Sequence, residues 1–534
     1  MPVNIEQVKN RICSTVASNK NDLYSSNIYW SQKPYNICDI LIESFSSEGD
    51  IVYDPFLGSG VTLLESIRKN YKRVGIGCEI NEAPIFIIKT LLNRYDEKKY
   101  NEVSKSFLSK IKLLQHYYST RCADCGSNGV VTSVIFDKPT RNADIKIKTI
   151  NYRCVCSAKC SKEPDKNDIK KISIHHNQKN IIDEELIPNT KLAVYENETI
   201  SQIFTGRNFA VIDEIVGIIN ELDEYNDVFR YILMSVLHLC KITDKHSNSQ
   251  WPLWIPKIDC VEKNVIDILE KKVKSFSKTI RYLNKNYDNE IQFKILHKGS
   301  QFVTDEDIKD ASVQLIVTDP PYLGQVAYSE YMQLYKPFLG FDFNLTDEIV
   351  VSSAPSRNKD NTDYFNLLDS VFENCSMKLK DHAFFCMYFH DSGLSVWSRL
   401  INILATHHLR YISQVHIAKT NTLKNIISPK KSLNGDCILF FIKDPCIVAN
   451  EGTESIEEIE KNIIRQIKAM VDQKGSLSTP ELYDNGLMEV LIQNGWLNTL
   501  SKKYKSLVDI FEKHLIWDSN IARWKCKRKL LPNN

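Results

Sequence analysis

No run of apolar residues in this chain is long enough to span a bilayer. The N-terminus, Met1-Pro2-Val3-Asn4-Ile5-Glu6, has no apolar core of the kind a secretory signal needs. The chain also lacks an excess of either charge. Its 68 Lys plus Arg face 66 Asp plus Glu, a net +2, so a surface for nucleic acid has to be a local patch. Fifteen cysteines without a signal predict a reducing compartment, where thiols stay free or bind metal. These absences predict a soluble cytoplasmic protein with no membrane partner. Its 534 residues allow two to four domains of roughly 150 residues each.

The organising stretch is Asp50-Ile51-Val52-Tyr53-Asp54-Pro55-Phe56-Leu57-Gly58-Ser59-Gly60-Val61-Thr62. An apolar run breaks at Pro55 and a Gly-x-Gly pair, and a helical pattern with Leu63, Leu64 and Ile67 follows. Strand, tight turn and helix form the first unit of a doubly wound α/β sheet. Gly58 and Gly60 let backbone approach a ligand closely, and Asp54 and Phe56 stand at the strand's carboxyl end, where such sheets bind ligands. A second strand from Arg73 ends in Glu79, about 20 residues past the glycines, where a ribose diol is usually held. The order predicts an adenosine-containing cofactor. The aromatic Tyr29-Trp30-Ser31-Gln32-Lys33-Pro34-Tyr35 ahead of it is open between packing on that cofactor and a surface turn.

The α/β pattern stops near residue 95. After an amphipathic stretch come Cys122-Ala123-Asp124-Cys125 and, past two strand-like runs, Cys154-Val155-Cys156 and Cys160. Two cysteine clusters joined by hairpin strands predict a structural zinc ribbon, with Cys154, Cys156 and Cys160 competing for two places. Residues 165–300 read as mostly helical. Gln250-Trp251-Pro252-Leu253-Trp254 is an aromatic loop expected to pack in a hairpin. Lys271, Lys272, Lys274, Lys278, Arg281 and Lys285 form a solvated face, or a phosphate-contact strip if nucleic acid binds.

A buried strand, Val313 to Thr318, then ends in Asp319-Pro320-Pro321-Tyr322. Two prolines after a strand-terminal Asp make a rigid loop without N–H groups. It can present only acceptors, the Asp319 carboxylate and the Pro320 carbonyl, which suit an exocyclic amine with two N–H bonds to give. Tyr322 adds a face for base stacking. Further strands through Ile442 complete a seven-strand sheet with an antiparallel final hairpin. The expected division is 1–95 and 291–446 for the two halves of the α/β domain, 96–290 for an inserted ribbon and helical region, and 447–534 for a helical C-terminal region. The final Arg523-Trp524-Lys525-Cys526-Lys527-Arg528-Lys529 reads as a basic tail.

Asp54-Pro55-Phe56-x-Gly58-Ser59-Gly60-Val61-Thr62 resembles the cofactor motif of amino-directed DNA methyltransferases, and Asp319-Pro320-Pro321-Tyr322 resembles their catalytic motif. Trp30-Ser31-Gln32-Lys33-Pro34, the cysteine clusters, Phe204-Thr205-Gly206-Arg207-Asn208 and Tyr328-Ser329-Glu330-Tyr331 are similar to the zinc-ribbon adenine-specific branch. The resemblance implies a Rossmann-like class I methyltransferase fold and S-adenosylmethionine bound near Trp30, Lys33, Pro34, Asp54, Pro55, Phe56, Gly58, Gly60, Thr62, Glu79 and Asn81. It also implies structural Zn2+, and DNA as substrate with base flipping before transfer to adenine N6. A modification or defence role, with other subunits as partners, goes with it. In place of the family's frequent Gly-Asp-Ser stands His297-Lys298-Gly299-Ser300-Gln301, which displaces the usual acid near the cofactor's adenine. The alternatives are cytosine N4, an RNA guanine-N2 enzyme, and a non-catalytic binding module. Cytosine C5 chemistry needs a cysteine nucleophile, and the one proline–cysteine pair, Pro445-Cys446, lies past the last strand.

Overall fold

The computed structural model describes residues 3–175, 177–246, 251–324, 327–418, 430, 433, 435–446 and 452–527. In chain order the strands are β1 (Ile51–Asp54), β2 (Val74–Glu79), β3 (Ser119–Arg121), β4 (Asn128–Asp137) and β5 (Lys146–Arg153). β6 (Cys160–Lys162), β7 (Thr243–Asp244), β8 (Cys260–Lys263), β9 (Phe293–His297) and β10 (Val313–Thr318) follow. The last five are β11 (Leu379–Phe389), β12 (Leu409–Ala418), β13 (Gly435–Lys443), β14 (Leu515–Asp518) and β15 (Arg523–Cys526).

Seven strands form the main sheet in the order β12-β13-β11-β10-β1-β2-β9. β1 runs parallel to β10 and β2, with Tyr53 opposite Ile316 and Ile76, and β9 and β11 extend the parallel run. β13 is antiparallel to β11 and β12, as the sequence predicts for the final hairpin. The central strands read as continuous apolar runs because both faces are covered. Val52, Leu315, Val317 and Cys386 belong to one core, whereas Tyr53, Ile316, Phe385 and Met387 belong to the other. The first core runs on into the inserted region through Phe229, Phe276 and Ile212. The second is closed by the helices Asn361–Lys378 and Leu394–Thr406 and by the C-terminal region.

The inserted region pairs its own strands in the order β6-β5-β4-β8-β7, with β3 on β4. Phe204 to Asn208 fastens it. Thr205 caps the helix Gly206–Asn220, and the buried Arg207 pairs with Glu262 across the β8 strand. Asn208 donates to the carbonyls of Cys240 and Lys263 at 2.8 and 3.0 Å. A Cβ at Gly206 would meet the Ile174 carbonyl at 2.3 Å, so only glycine fits there.

Two expectations need correction. The C-terminal region is not wholly helical, because β14 and β15 form a hairpin in which Trp517 faces Trp524. The basic tail is anchored: Trp524 is 1% exposed, and its indole N–H donates to Thr479 Oγ1 at 2.9 Å. Trp524 and the half-buried Cys526 alternate with charged residues, a period of two that belongs to a strand. Residues 528–534 lie outside the described residues. The loop at residue 251 packs as expected through Pro252, Leu253 and Pro256, but its two tryptophans stay exposed, Trp251 at 57%, with an edge-on contact to Tyr331 at 6.3 Å between ring centroids. Gln250 lies outside the described residues. No helix among the described residues is long and apolar enough to cross a membrane.

Candidate active site

The carboxyl ends of β1, β2 and β10 open into one pocket, which encloses about 1200 Å3 including its mouth. Its floor is built from two turns. After β1, Gly58 and Gly60 take positive φ of 46° and 76°, and Gly60 sits at the N-terminus of the helix Val61–Ser66. A Cβ at Gly58 would come within 3.2 Å of the Tyr29 ring. After β10, Asp319, Pro320, Pro321 and Tyr322 line the opposite wall.

Glu79 closes the first turn. Its carboxylate accepts from Gly58 N–H at 3.1 Å and from the N–H groups of Ile80 and Asn81 at 2.9 Å each. A carboxylate has about four acceptor positions, so roughly one is left for a ligand hydroxyl. Burial pushes its pKa up to about 7, against the pull of those three backbone groups. Asp54 accepts from Phe56 N–H at 3.0 Å and Thr318 Oγ1 at 2.8 Å, and burial raises it to about 6.

Asp319 differs. Its Oδ1 is buried and makes no hydrogen bond among the described residues, although the Lys33 ammonium stands 3.1 Å away as an ion pair. Lys33 is held by Tyr322 Oη at 3.0 Å and Asp436 Oδ2 at 3.1 Å. Burial raises the Asp319 pKa; Lys33 opposes the shift and Asp436 adds to it. Burial works against the charge on Lys33, but Asp319 and Asp436 outweigh it and its pKa is raised.

The expected cofactor residues therefore divide. Trp30, Lys33, Asp54, Pro55, Phe56, Gly58, Thr62, Glu79 and Asn81 all border the pocket. Lys33 meets the Asp319 acid rather than the glycine turn. Thr62 ties its helix to β10 by donating to the Val317 carbonyl at 3.1 Å. Asn81 Oδ1 accepts from Asn344 N–H at 3.0 Å and Ser329 Oγ at 3.2 Å, which fixes the segment after the proline turn. Trp30 packs edge-on against Tyr331 at 4.9 Å, and Tyr29 stacks on Tyr328 at 5.9 Å. Pro34 precedes the helix Tyr35–Phe45, and neither it nor Gly60 borders the pocket.

Sequence reasoning missed Asp436 and Tyr388, which no local pattern marks, and named Gln301 only as part of the segment that displaces the family's acid. Tyr388, on β11, lies under the Lys33 ammonium with 5.2 Å to its ring centroid. Gln301 borders the pocket in the segment where the family's acid is displaced, and its Nε2 is buried without a partner among the described residues. Lys298 is engaged by Asp307 at 2.7 Å, and Ser300 Oγ donates to the Pro55 carbonyl. The Gln301 amide, the remaining acceptor position of Glu79 and a glycine turn without side chains make a set that fits S-adenosylmethionine, the cofactor the resemblance implies.

The cysteines come together apart from this pocket. The ligand atoms of Cys122, Cys125, Cys154 and Cys156 all lie within 4.8 Å of one another, with Cys122–Cys156 at 3.6 Å and Cys125–Cys154 at 3.5 Å. Four sulfurs on a tetrahedral Zn2+ at about 2.3 Å stand roughly 3.8 Å apart, so the cluster fits such an ion. Cys160 falls into an alternative group with Cys122, Asp124 and Cys156. On the helix Val265–Asn286, Lys274 pairs with Glu270 and Arg281 with Glu97, while Lys271, Lys278 and Lys285 stay exposed.

Comparison with known proteins bears on one end of the chain. A family model described as DNA methylase matches residues 4–90. The type II methyltransferase M.HpaI of Haemophilus parainfluenzae is 43% identical over 63 residues, 12% of this chain and 19% of that protein. The chain thus matches about a fifth of the curated relative's length. Two solved structures of StiE O-MT share 10% identity at TM-scores of 0.16 and 0.17, covering 34% of this chain and 56% of theirs, too low to argue from. The segment similar to DNA methylases is the one that carries the glycine turn, Lys33 and Glu79.

Proposed function

We propose that the chain transfers a methyl group from S-adenosylmethionine to the exocyclic N6 of adenine in DNA, as the modification arm of a defence system. The observation that carries this reading is the buried Asp319 Oδ1, which is ion-paired with Lys33 but makes no hydrogen bond among the described residues, set beside a proline turn and across the pocket from the glycine turn. A buried acceptor left open is unfavourable unless a ligand completes it. S-adenosylmethionine, when bound, supplies an electrophilic methyl group. The protein's part is to orient the amine. Asp319 and the Pro320 carbonyl accept its two N–H bonds, and the nitrogen lone pair, otherwise delocalised into the base, turns toward the donor. Tyr322 stacks on the flipped base. The four thiols of Cys122, Cys125, Cys154 and Cys156 hold one structural zinc that fixes the β4–β5 hairpin.

The test uses purified full-length chain, tritiated methyl donor and unmethylated DNA or RNA side by side, with the labelled nucleoside identified by mass spectrometry and zinc by elemental analysis. Label in N6-methyladenine of DNA and one zinc per chain are expected. Label only in RNA, or only in N4-methylcytosine, replaces the substrate assignment. No label in either, with nucleic acid still bound, makes the chain a binding module.

A further inference from the structure

The Lys33 ammonium has three N–H bonds to give. Two are taken by Tyr322 Oη and Asp436 Oδ2, at 3.0 and 3.1 Å. The third faces Asp319, whose Oδ1 lies 3.1 Å from the nitrogen as an ion pair and makes no hydrogen bond among the described residues. An acceptor and a donor tied to each other only by this ionic contact therefore stand side by side in the pocket wall. Both are fixed: Lys33 is 8% exposed, Asp436 lies on β13, and the Lys33 nitrogen stands over the rings of Tyr322 and Tyr388 at 5.1 and 5.2 Å.

We infer that Lys33 is a specificity-determining residue that reads the ring nitrogen beside the target amine, N1 of adenine or N3 of cytosine. The inference rests on the amine-methyltransferase reading and narrows its substrate class. Adenine N6 and cytosine N4 each present an N–H donor next to an unprotonated ring nitrogen. That donor–acceptor edge complements the acceptor–donor pair of Asp319 and Lys33. The Watson–Crick edge of guanine places the N1–H donor beside N2, so its N–H would point at the ammonium. A site built to hydrogen-bond one edge rejects the mismatched one strongly, because a buried polar group is left unpaired. Lys33 acts by selecting and seating the base. Asp319 remains the group that faces the amine.

The test begins with identification of the methylated position by modification sequencing of DNA from cells expressing the chain. Duplexes then carry adenine, 1-deazaadenine or 7-deazaadenine at that position only, or 3-deazacytosine if the target proves to be cytosine. Wild type should methylate the 1-deaza duplex roughly 100-fold more slowly than adenine, and the 7-deaza duplex within a few-fold. Loss of N1 also weakens the target base pair and eases flipping, so weaker pairing cannot account for a slower rate. Lys33→Met keeps the chain length without the donor and should treat adenine and 1-deazaadenine alike. Lys33→Arg keeps a donor and should retain the preference. If Lys33→Met is folded but turns nothing over, the same ratio is read from duplex binding in the presence of sinefungin; a preserved preference there overturns the inference. Wild type methylating the 1-deaza duplex at the adenine rate overturns it too, and leaves the methyltransferase reading intact. No methylated position in any nucleic acid removes both.

Discussion

The turns after β1 and β10 start alike and end as opposites. Each comes after a strand of the same parallel pair, and each begins Asp-Pro. In the first, Phe56 has an N–H and donates it back to Asp54, two residues earlier, while Thr318 takes up the same carboxylate. Asp54 is thereby a fixture of the turn. In the second, the residue two positions after Asp319 is Pro321, which has no N–H to give. Asp319 Oδ1 receives no backbone hydrogen bond from its own turn and is ion-paired with the Lys33 ammonium. The next two residues decide the role of each acid: one proline leaves a self-satisfied bend, and two leave an acceptor for something else. The glycines extend the contrast, since Gly58 gives its N–H to Glu79 and brings no side chain into the pocket.

The largest effects should come from breaking each turn in its own way. Asp319→Ala should lower methyl transfer by 100-fold or more, since one positioned electrostatic contact is worth roughly 3–4 kcal/mol. Binding of the cofactor, measured by calorimetry, should persist. Gly58→Trp should do the reverse first: its side chain starts 3.2 Å from the Tyr29 ring and fills the approach, so cofactor binding disappears. Wild-type transfer rates in Asp319→Ala would remove the active site from the proline turn. Unchanged cofactor affinity in Gly58→Trp would move the cofactor elsewhere.

Pro321→Ala sharpens the contrast further. It restores an N–H two residues after the acid and makes the second turn more like the first. If that N–H closes on Asp319, the carboxylate turns from the target amine toward its own backbone. Transfer should fall about tenfold, the scale of one modest hydrogen bond in competition, with melting temperature unchanged or raised. A rate equal to wild type would show that the turn's shape, and not the missing donor, keeps Asp319 open.

Much of the fold is legible in the sequence for local reasons. β1, residues 315–317 of β10 and residues 383–389 of β11 read as apolar runs, and the two turns announce themselves through glycine and proline. Lys33 is legible as part of a motif but not as the partner of Asp319. The two lie far apart in the chain, and the helix Tyr35–Phe45 that follows Lys33 packs against β10, the strand that ends beside Asp319. Asp436 has no sequence signature at all, being an ordinary strand residue whose burial supplies its importance. Trp524 is obscured by the charges around it. The same charge pattern on the helix Val265–Asn286 does identify an exposed face, yet acids from the chain itself already occupy part of it.

The smallest expected effect tests whether Glu79 serves the turn alone or also a ligand. Burial raises its pKa to about 7, so near neutral pH a good part of it carries a proton. A ribose diol bound as a hydrogen-bond donor favours the carboxylate, which lowers the pKa in the complex. Binding then releases a proton below pH 7. Affinity for S-adenosylmethionine should therefore rise between pH 6 and pH 8, by about fivefold if the complex lowers the pKa by one unit. Glu79→Gln keeps one acceptor for Gly58 N–H but cannot titrate, and its affinity should change with pH only as the ligand itself does. Titration of the ligand is common to both proteins, so the difference between their profiles isolates Glu79. Parallel profiles would mean that the carboxylate is fully committed to Gly58, Ile80 and Asn81. The glycine turn would then resemble the Asp54 bend, with its acid closed by its own backbone, and Asp319 would be the one acid of the three left open for a ligand.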